Sequence, residues 1–268
     1  MRVALGLLVL LVIGGVLLAL QVQPHLPAAE RGRRLAERTG CFACHGPGGK
    51  HGVANPGRND KTVPDFDEDD MMMYAKSTEV IREWIEDGVS KAKANSETWK
   101  EQRKRGALKM PAFERRLSRK QIDDLTDYVA VMAEMNEPED TLAHHGLERA
   151  EALGCVGCHG PGGRLAQRNP GSLKGYVPSW DSADFPDLVH DRAEFGEWVE
   201  HGISKRFEKN SFARWFLRRA VLHMPAFGER LAPGDVDAIW AYVGWLRSPA
   251  GSVSLTSAHR DSTESESQ

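Results

Sequence analysis

Three scarcities narrow the reading of this 268-residue chain before any motif is considered. An excess of charge of one sign is missing: 35 Lys and Arg face 38 Asp and Glu, a net charge of -3, which gives no reason to expect a nucleic-acid partner. Cysteine is rare. The four cysteines form two tight pairs 111 residues apart, which suits an exported protein but not a general disulfide framework. Long apolar runs are also rare. Residues 3–20 make one, free of charge and preceded by Arg2, in a chain of otherwise globular composition, 41% hydrophobic and 27% charged.

That run comes first in the chain and decides where the rest goes. Eighteen residues at about 1.5 Å each nearly span a hydrocarbon layer. Arg2 before it, with no comparable basic cluster just after it, predicts an amino end left in the cytoplasm. A cleaved signal peptide is the competing reading, but signal apolar regions are usually ~7–15 residues and end in a small-x-small site. Here the run is longer, and Leu18-Ala19-Leu20-Gln21 offers no clean site. The expectation is an uncleaved single-pass anchor in the cytoplasmic membrane, with the remainder on the periplasmic side. Either reading exports the rest of the chain.

The cysteines are spent on one pattern used twice. Cys41-Phe42-Ala43-Cys44-His45 recurs as Cys155-Val156-Gly157-Cys158-His159. A C-x-x-C-H run reads as a covalent haem c site, because two thiols at this spacing meet the two vinyl groups of one porphyrin. The adjacent histidine then lies under the ring as proximal ligand. Structural zinc would want four ligands close together, and each half has only two thiols and one adjacent histidine. A thioredoxin-type dithiol would want a strand before the motif, whereas these flanks read as helical and glycine-rich. Plain disulfides within the motifs leave both histidines without a role. Two haem c groups are expected.

A shift of 114 residues superimposes much more than the motifs. Gly32 falls on Gly146, Asn55-Pro56-Gly57 on Asn169-Pro170-Gly171, Trp84 on Trp198, Gly88 on Gly202 and Tyr128 on Tyr242. Met110-Pro111-Ala112-Phe113 falls on Met224-Pro225-Ala226-Phe227, each methionine 65 residues after its histidine. A lone methionine is normally core filler. Two at equal offsets, each held out of helix by the following proline, read as distal iron ligands. The first half has no histidine between His51 and Met110, which disfavours bis-histidine ligation there. In the second half His190, His201 and His223 are competitors, His223 above all because it adjoins Met224. Met71, Met72 and Met73 read as core or packing at the ring edge.

A period this long means two whole domains rather than a solenoid. The expected division is anchor and linker 1–27, first domain 28–138, second domain 139–248 and a disordered Ser/Thr/Glu-rich tail 249–268. Helices are expected over 29–39, over 77–87 with an apolar face of Ile81, Trp84 and Ile85 stopped by Gly88, and over 118–135 behind a Ser118/Gln121 capping box. The strongly basic stretches 91–109 and 205–219 precede the methionines and read either as solvated helix faces or as a ring of charge that steers an acidic partner.

These residues resemble the class I cytochromes c in tandem dihaem form, as in cytochromes of the c4 type, across about residues 29–246. The resemblance rests on Cys41, Cys44, His45 and Met110, and on Cys155, Cys158, His159 and Met224. Gly32 with Tyr128, and Gly146 with Tyr242, look like the family's pairing of first and last helices. What it implies is an all-α fold, two tandem cytochrome c domains after an N-terminal transmembrane helix, and a one-electron carrier between redox protein partners. No acid–base or nucleophilic residue is expected. The halves are longer than a compact cytochrome c domain, and the anchor is unusual for a soluble carrier. Both points keep open a haem subunit of a membrane oxidase or dehydrogenase complex. A dihaem peroxidase would need one iron without a firm distal ligand, which two equally placed methionines disfavour.

Overall fold

The computed structural model describes residues 11–15 and 23–251. Of the expected anchor over 3–20 only residues 11–15 fall among these, and of the expected disordered tail only 249–251. Among the described residues no helix is long and apolar enough to cross a membrane. There is no strand among them either, only two isolated bridges, Ala54 with Thr62 and Arg168 with Tyr176. The expectation of an all-α fold holds.

In the first half α1 spans Ala28–Thr39, α2 Phe42–His45, α3 Glu68–Tyr74, α4 Thr78–Asp87, α5 Lys91–Ala94, α6 Glu97–Arg105 and α7 Arg119–Met132. The second half runs α8 Thr141–Ala152, α9 Val156–His159, α10 Phe185–Leu188, α11 Arg192–His201, α12 Lys205–Lys209, α13 Ser211–Arg219 and α14 Asp235–Leu246. The starts follow the sequence signals. Ser77 caps α4 by accepting from the Val80 amide, and Ser118 and Gln121 form the capping box of α7. Each basic stretch, continuous in sequence, breaks into two short helices. Ser90 and Ser96 cap the first pair, and Asn210 caps α13. Charge periodicity alone did not reveal this break.

In each half the first helix crosses the last. The crossing is close because a glycine sits at the contact. A Cβ on Gly32 would run into the Asp124 carbonyl, and one on Gly146 into the Ala238 carbonyl. Tyr128 and Tyr242, both almost fully buried, lie beside those glycines. Each hydroxyl donates a 2.9 Å hydrogen bond to a loop carbonyl, Gly48 and Gly162 respectively. The apolar cores gather under these crossings: Leu35, Ile81, Ile85, Leu125 and Val129 in one half, Leu147, Phe195, Val199, Ile239 and Val243 in the other.

The halves touch. Leu165 is buried in the first half's core although it belongs to the second. His25 hydrogen-bonds to the Asp184 carboxylate through its amide and its ring, at 2.8 and 2.7 Å. The Arg34 guanidinium lies 4.6 Å over the Tyr176 ring. Arg164 is buried at the junction and donates to the Gly251 carbonyl.

Candidate haem sites

The cysteine motif is built as one turn of helix in each half. Cys41 and Cys155 are the residues before α2 and α9, and His45 and His159 end those turns. None of the four thiols forms a disulfide, and all are partly buried. Burial raises the Cys41 thiol against the opposing Thr39 hydrogen bond, and pushes Cys155 up to about 11. Both are therefore held in the less reactive protonated form.

The histidines are oriented by the backbone. The His45 ring donates through Nδ1 to the Pro64 carbonyl at 2.8 Å, and His159 does the same to Pro178 at 2.9 Å. A carbonyl can only accept, so the proton sits on Nδ1 and the Nε2 lone pair is free. Burial lowers both imidazoles below their ordinary value despite the raising effect of those carbonyls, so the rings are neutral. An aromatic ring braces each: Phe66 at 4.6 Å from His45, and Trp180 at 5.0 Å from His159. Phe66 and Trp180 were not singled out by sequence, although they share the 114-residue register.

The methionines are delivered by a loop tied down on both sides. Asn55 is buried, accepts from the Leu108 amide at 2.8 Å and donates to the Leu108 carbonyl at 3.1 Å. Asn169 clamps Leu222 in the same way, at 2.8 and 3.0 Å. Each clamped leucine lies two residues before the methionine. Three residues after it, the Phe113 amide donates to the Ile85 carbonyl at 3.0 Å, and the Phe227 amide to Val199 at 2.9 Å. Gly88 and Gly202 let the loop come in. Both have positive φ, 69° and 74°, and a Cβ on either would strike the carbonyl of Met110 or Met224.

In the first half these groups surround one cavity. Cys41, Cys44, His45 and Met110 all line a largely apolar space of about 230 Å³, with Phe66, Trp84, Ile85 and Val129. The residues present fit a haem. Two unpaired thiols, a free imidazole nitrogen and a thioether share the lining of one cavity whose exposed surface is mostly apolar. Arg58 and Arg103 also line it, with Tyr74 and Trp99. In the second half Cys155 and Met224 pack against the same core.

Other candidates separate from the site. Met71 is buried and lines the cavity, as expected, but Met72 and Met73 are exposed at 54% and 62%, so the packing role holds for one of three. Trp84 lines the cavity and donates from Nε1 to the Tyr74 carbonyl at 3.1 Å, which Trp198 repeats with Leu188 at 3.0 Å. His201 and His223 are exposed, and His190 pairs with Glu194 at 3.8 Å. Among the described residues, no three His, Cys, Asp or Glu side chains converge as a metal-ion site of the zinc type.

Residues 29–133 match the family model described as Cytochrome c. No curated protein and no solved structure matches the chain. The match covers the elements that build the first cavity, from α1 through α7. With the thiols, the oriented imidazole and the apolar cavity, it makes residues 29–133 a cytochrome c domain, with covalent haem c and an electron-transfer role.

Proposed function

We propose that the chain is a dihaem c-type cytochrome that carries single electrons between redox proteins at the outer face of the cytoplasmic membrane. The observation that supports two haems is the repetition of the whole cradle. The histidine on a carbonyl, the braced ring, the asparagine clamp and the tethered Met-Pro-Ala-Phe loop all recur, with bond lengths matching to about 0.1 Å. A second motif that had arisen by accident would carry none of these supports.

Haem c, where bound, supplies the one-electron ferric–ferrous couple. The chain's part is to hold and insulate it. Cys41 with Cys44, and Cys155 with Cys158, would fix each ring covalently. His45 and His159 offer Nε2 to iron, with the tautomer set by Pro64 and Pro178. Met110 and Met224 offer thioethers, which favour ferrous iron more than a second imidazole would. If His45 with Met110, and His159 with Met224, hold each iron from both sides, a reactant would find no vacancy, which separates this reading from a peroxidase. The N-terminal run over 3–20 would tether the chain to the membrane.

Haem counting by pyridine haemochrome, followed by a redox titration read by optical and EPR spectra, tests the proposal. Two covalent low-spin haems with His/Met signatures are expected. One haem, or a high-spin ferric iron that binds cyanide readily, sinks it. Membrane fractionation of the full chain tests the anchor, and recovery wholly in the soluble fraction would remove it.

A further inference from the structure

We propose that α13, with the turn that follows it, is the docking surface for an acidic redox protein. The inference rests on the reading of residues 139–248 as a second haem-bearing domain. Helix α13 puts large apolar side chains into solvent: Phe212 is 64% and Trp215 49% exposed, and Val221 and Leu222 beyond it are 67% and 39% exposed. Arg214, Arg218 and Arg219 stand exposed around them, with the Arg219 guanidinium 4.6 Å over the Trp215 ring. Among the described residues these three arginines form no ion pair, whereas neighbouring Lys205 and Arg206 are tied to Glu197 and Glu194.

The first half packs the same segment differently. Its counterpart, α6, turns Trp99 inward to meet Trp84 at 5.6 Å and Tyr74 at 5.9 Å, with Arg58 and Lys93 over the Trp99 ring at 4.0 and 4.2 Å. Its outer face carries Thr98 and Glu101 where α13 carries Phe212 and Trp215. The second half has Ala213 in place of Trp99 and meets Trp198 with Phe207 at 5.4 Å instead, which leaves Phe212 and Trp215 facing outward.

Three features fix the kind of occupant. Exposed aromatics interleaved with unpaired arginines are the composition of a protein–protein contact core. The surplus positive charge, with Glu208 the one acid on α12 and α13, complements an acidic rim. The patch also runs straight into Leu222, which Asn169 clamps two residues before Met224. A partner seated there lies against the loop that carries the iron ligand. A lipid surface at the same place would cover that loop with hydrocarbon, which conducts no electron onward.

The test uses the full chain and, as probe, reduced plant-type [2Fe–2S] ferredoxin, a small acidic one-electron donor, with hydroquinone as an uncharged control. Haems are counted first in every variant. The double variant Phe212→Ser/Trp215→Ser should lower the second-order rate with ferredoxin about 10-fold and leave the hydroquinone rate unchanged. Arg218→Gln/Arg219→Gln should flatten the decline of the ferredoxin rate with ionic strength. Two haems with unchanged ferredoxin rates in both variants overturn this proposal alone. So does an equal loss with hydroquinone, and so does an equal loss on Lys100→Gln/Lys104→Gln in α6. If the serine variant instead loses binding to phosphatidylglycerol vesicles while its ferredoxin rate holds, the surface is a membrane contact and the proposal fails. A count of one haem overturns the parent reading, and this one with it.

Discussion

The two halves share a cradle and differ in what they do with the chain between the fourth helix and the Met-Pro-Ala-Phe loop. Helix crossing, tyrosine lock, asparagine clamp and oriented histidine repeat almost bond for bond. The intervening helices do not. In the first half Arg58, Tyr74, Trp84, Lys93 and Trp99 fold into one aromatic and cationic cluster beside the cavity. In the second half the positions of Arg58, Lys93, Trp99 and Arg103 are held by Ser172, Phe207, Ala213 and Leu217. Side chains that hold a cofactor are constrained by its chemistry, while those facing outward answer to neighbours. The repeat separates the two classes.

The comparison breaks most plainly on haem content. Cys41→Ser/Cys44→Ser and Cys155→Ser/Cys158→Ser should each halve the covalent haem per chain; a variant that keeps its full haem shows that its motif is not an attachment site. Next in size is the helix crossing. Gly32→Val and Gly146→Val each push a side chain into a backbone carbonyl and should cost about 3 kcal/mol or more in the half that carries them. Calorimetry should show one transition moved and the other in place. A single transition moving as a whole would mean that the halves unfold together.

Trp99→Ala removes a half-buried indole from the first cluster and should cost about 2 kcal/mol, whereas removal of the outward Trp215 should cost under ~0.5 kcal/mol. Equal costs would erase the distinction between a filled and an open segment. Arg58 comes next. Its side chain is 7% exposed and lines the first cavity. A buried cation disfavours the ferric state, so Arg58→Gln should lower the first midpoint potential on the order of 50 mV, roughly 1 kcal/mol, and leave the second unmoved. A redox titration reads both.

The last effect is a pH dependence at the junction. Asp127 has its pKa pushed up to about 7 by burial, with the Asp124 and Asp123 charges adding to it and Arg164 and Arg31 opposing. Its folded value lies above its unfolded one, so the folded state binds the extra proton between the two. Stability should therefore fall as pH rises from about 4 to 7. Asp127→Asn should flatten that decline in denaturant melts, and an unchanged slope would show that the carboxyl titrates normally.

Much of this was legible in the chain because it lies in local rules. Ser77, Gly88 and the Ser118/Gln121 pair mark helix ends by backbone satisfaction, and Gly32 and Gly146 are glycines because no Cβ fits. The methionines stood out by equal offset and the proline after each. What stayed hidden depends on partners far away in sequence. The stretch 91–109 looks like one strongly basic run, yet Ser96 restarts a helix within it and Trp99 turns inward to meet Tyr74 and Trp84. Met71 and Met72 are adjacent and of one type, and only tertiary packing decides that one is buried and the other exposed. Arg164 gives no sign in sequence that it will be buried at the seam between the halves.

The asparagine clamp has a consequence for speed. Asn55 and Asn169 each grip both polar groups of one leucine's backbone, so the loop that bears the sulfur has little room to swing. A redox centre whose bond lengths must readjust at each change of valence pays for that movement on every turnover. Under the proposed ligation the scaffold settles the sulfur's position beforehand, and little of that movement would be left to the framework.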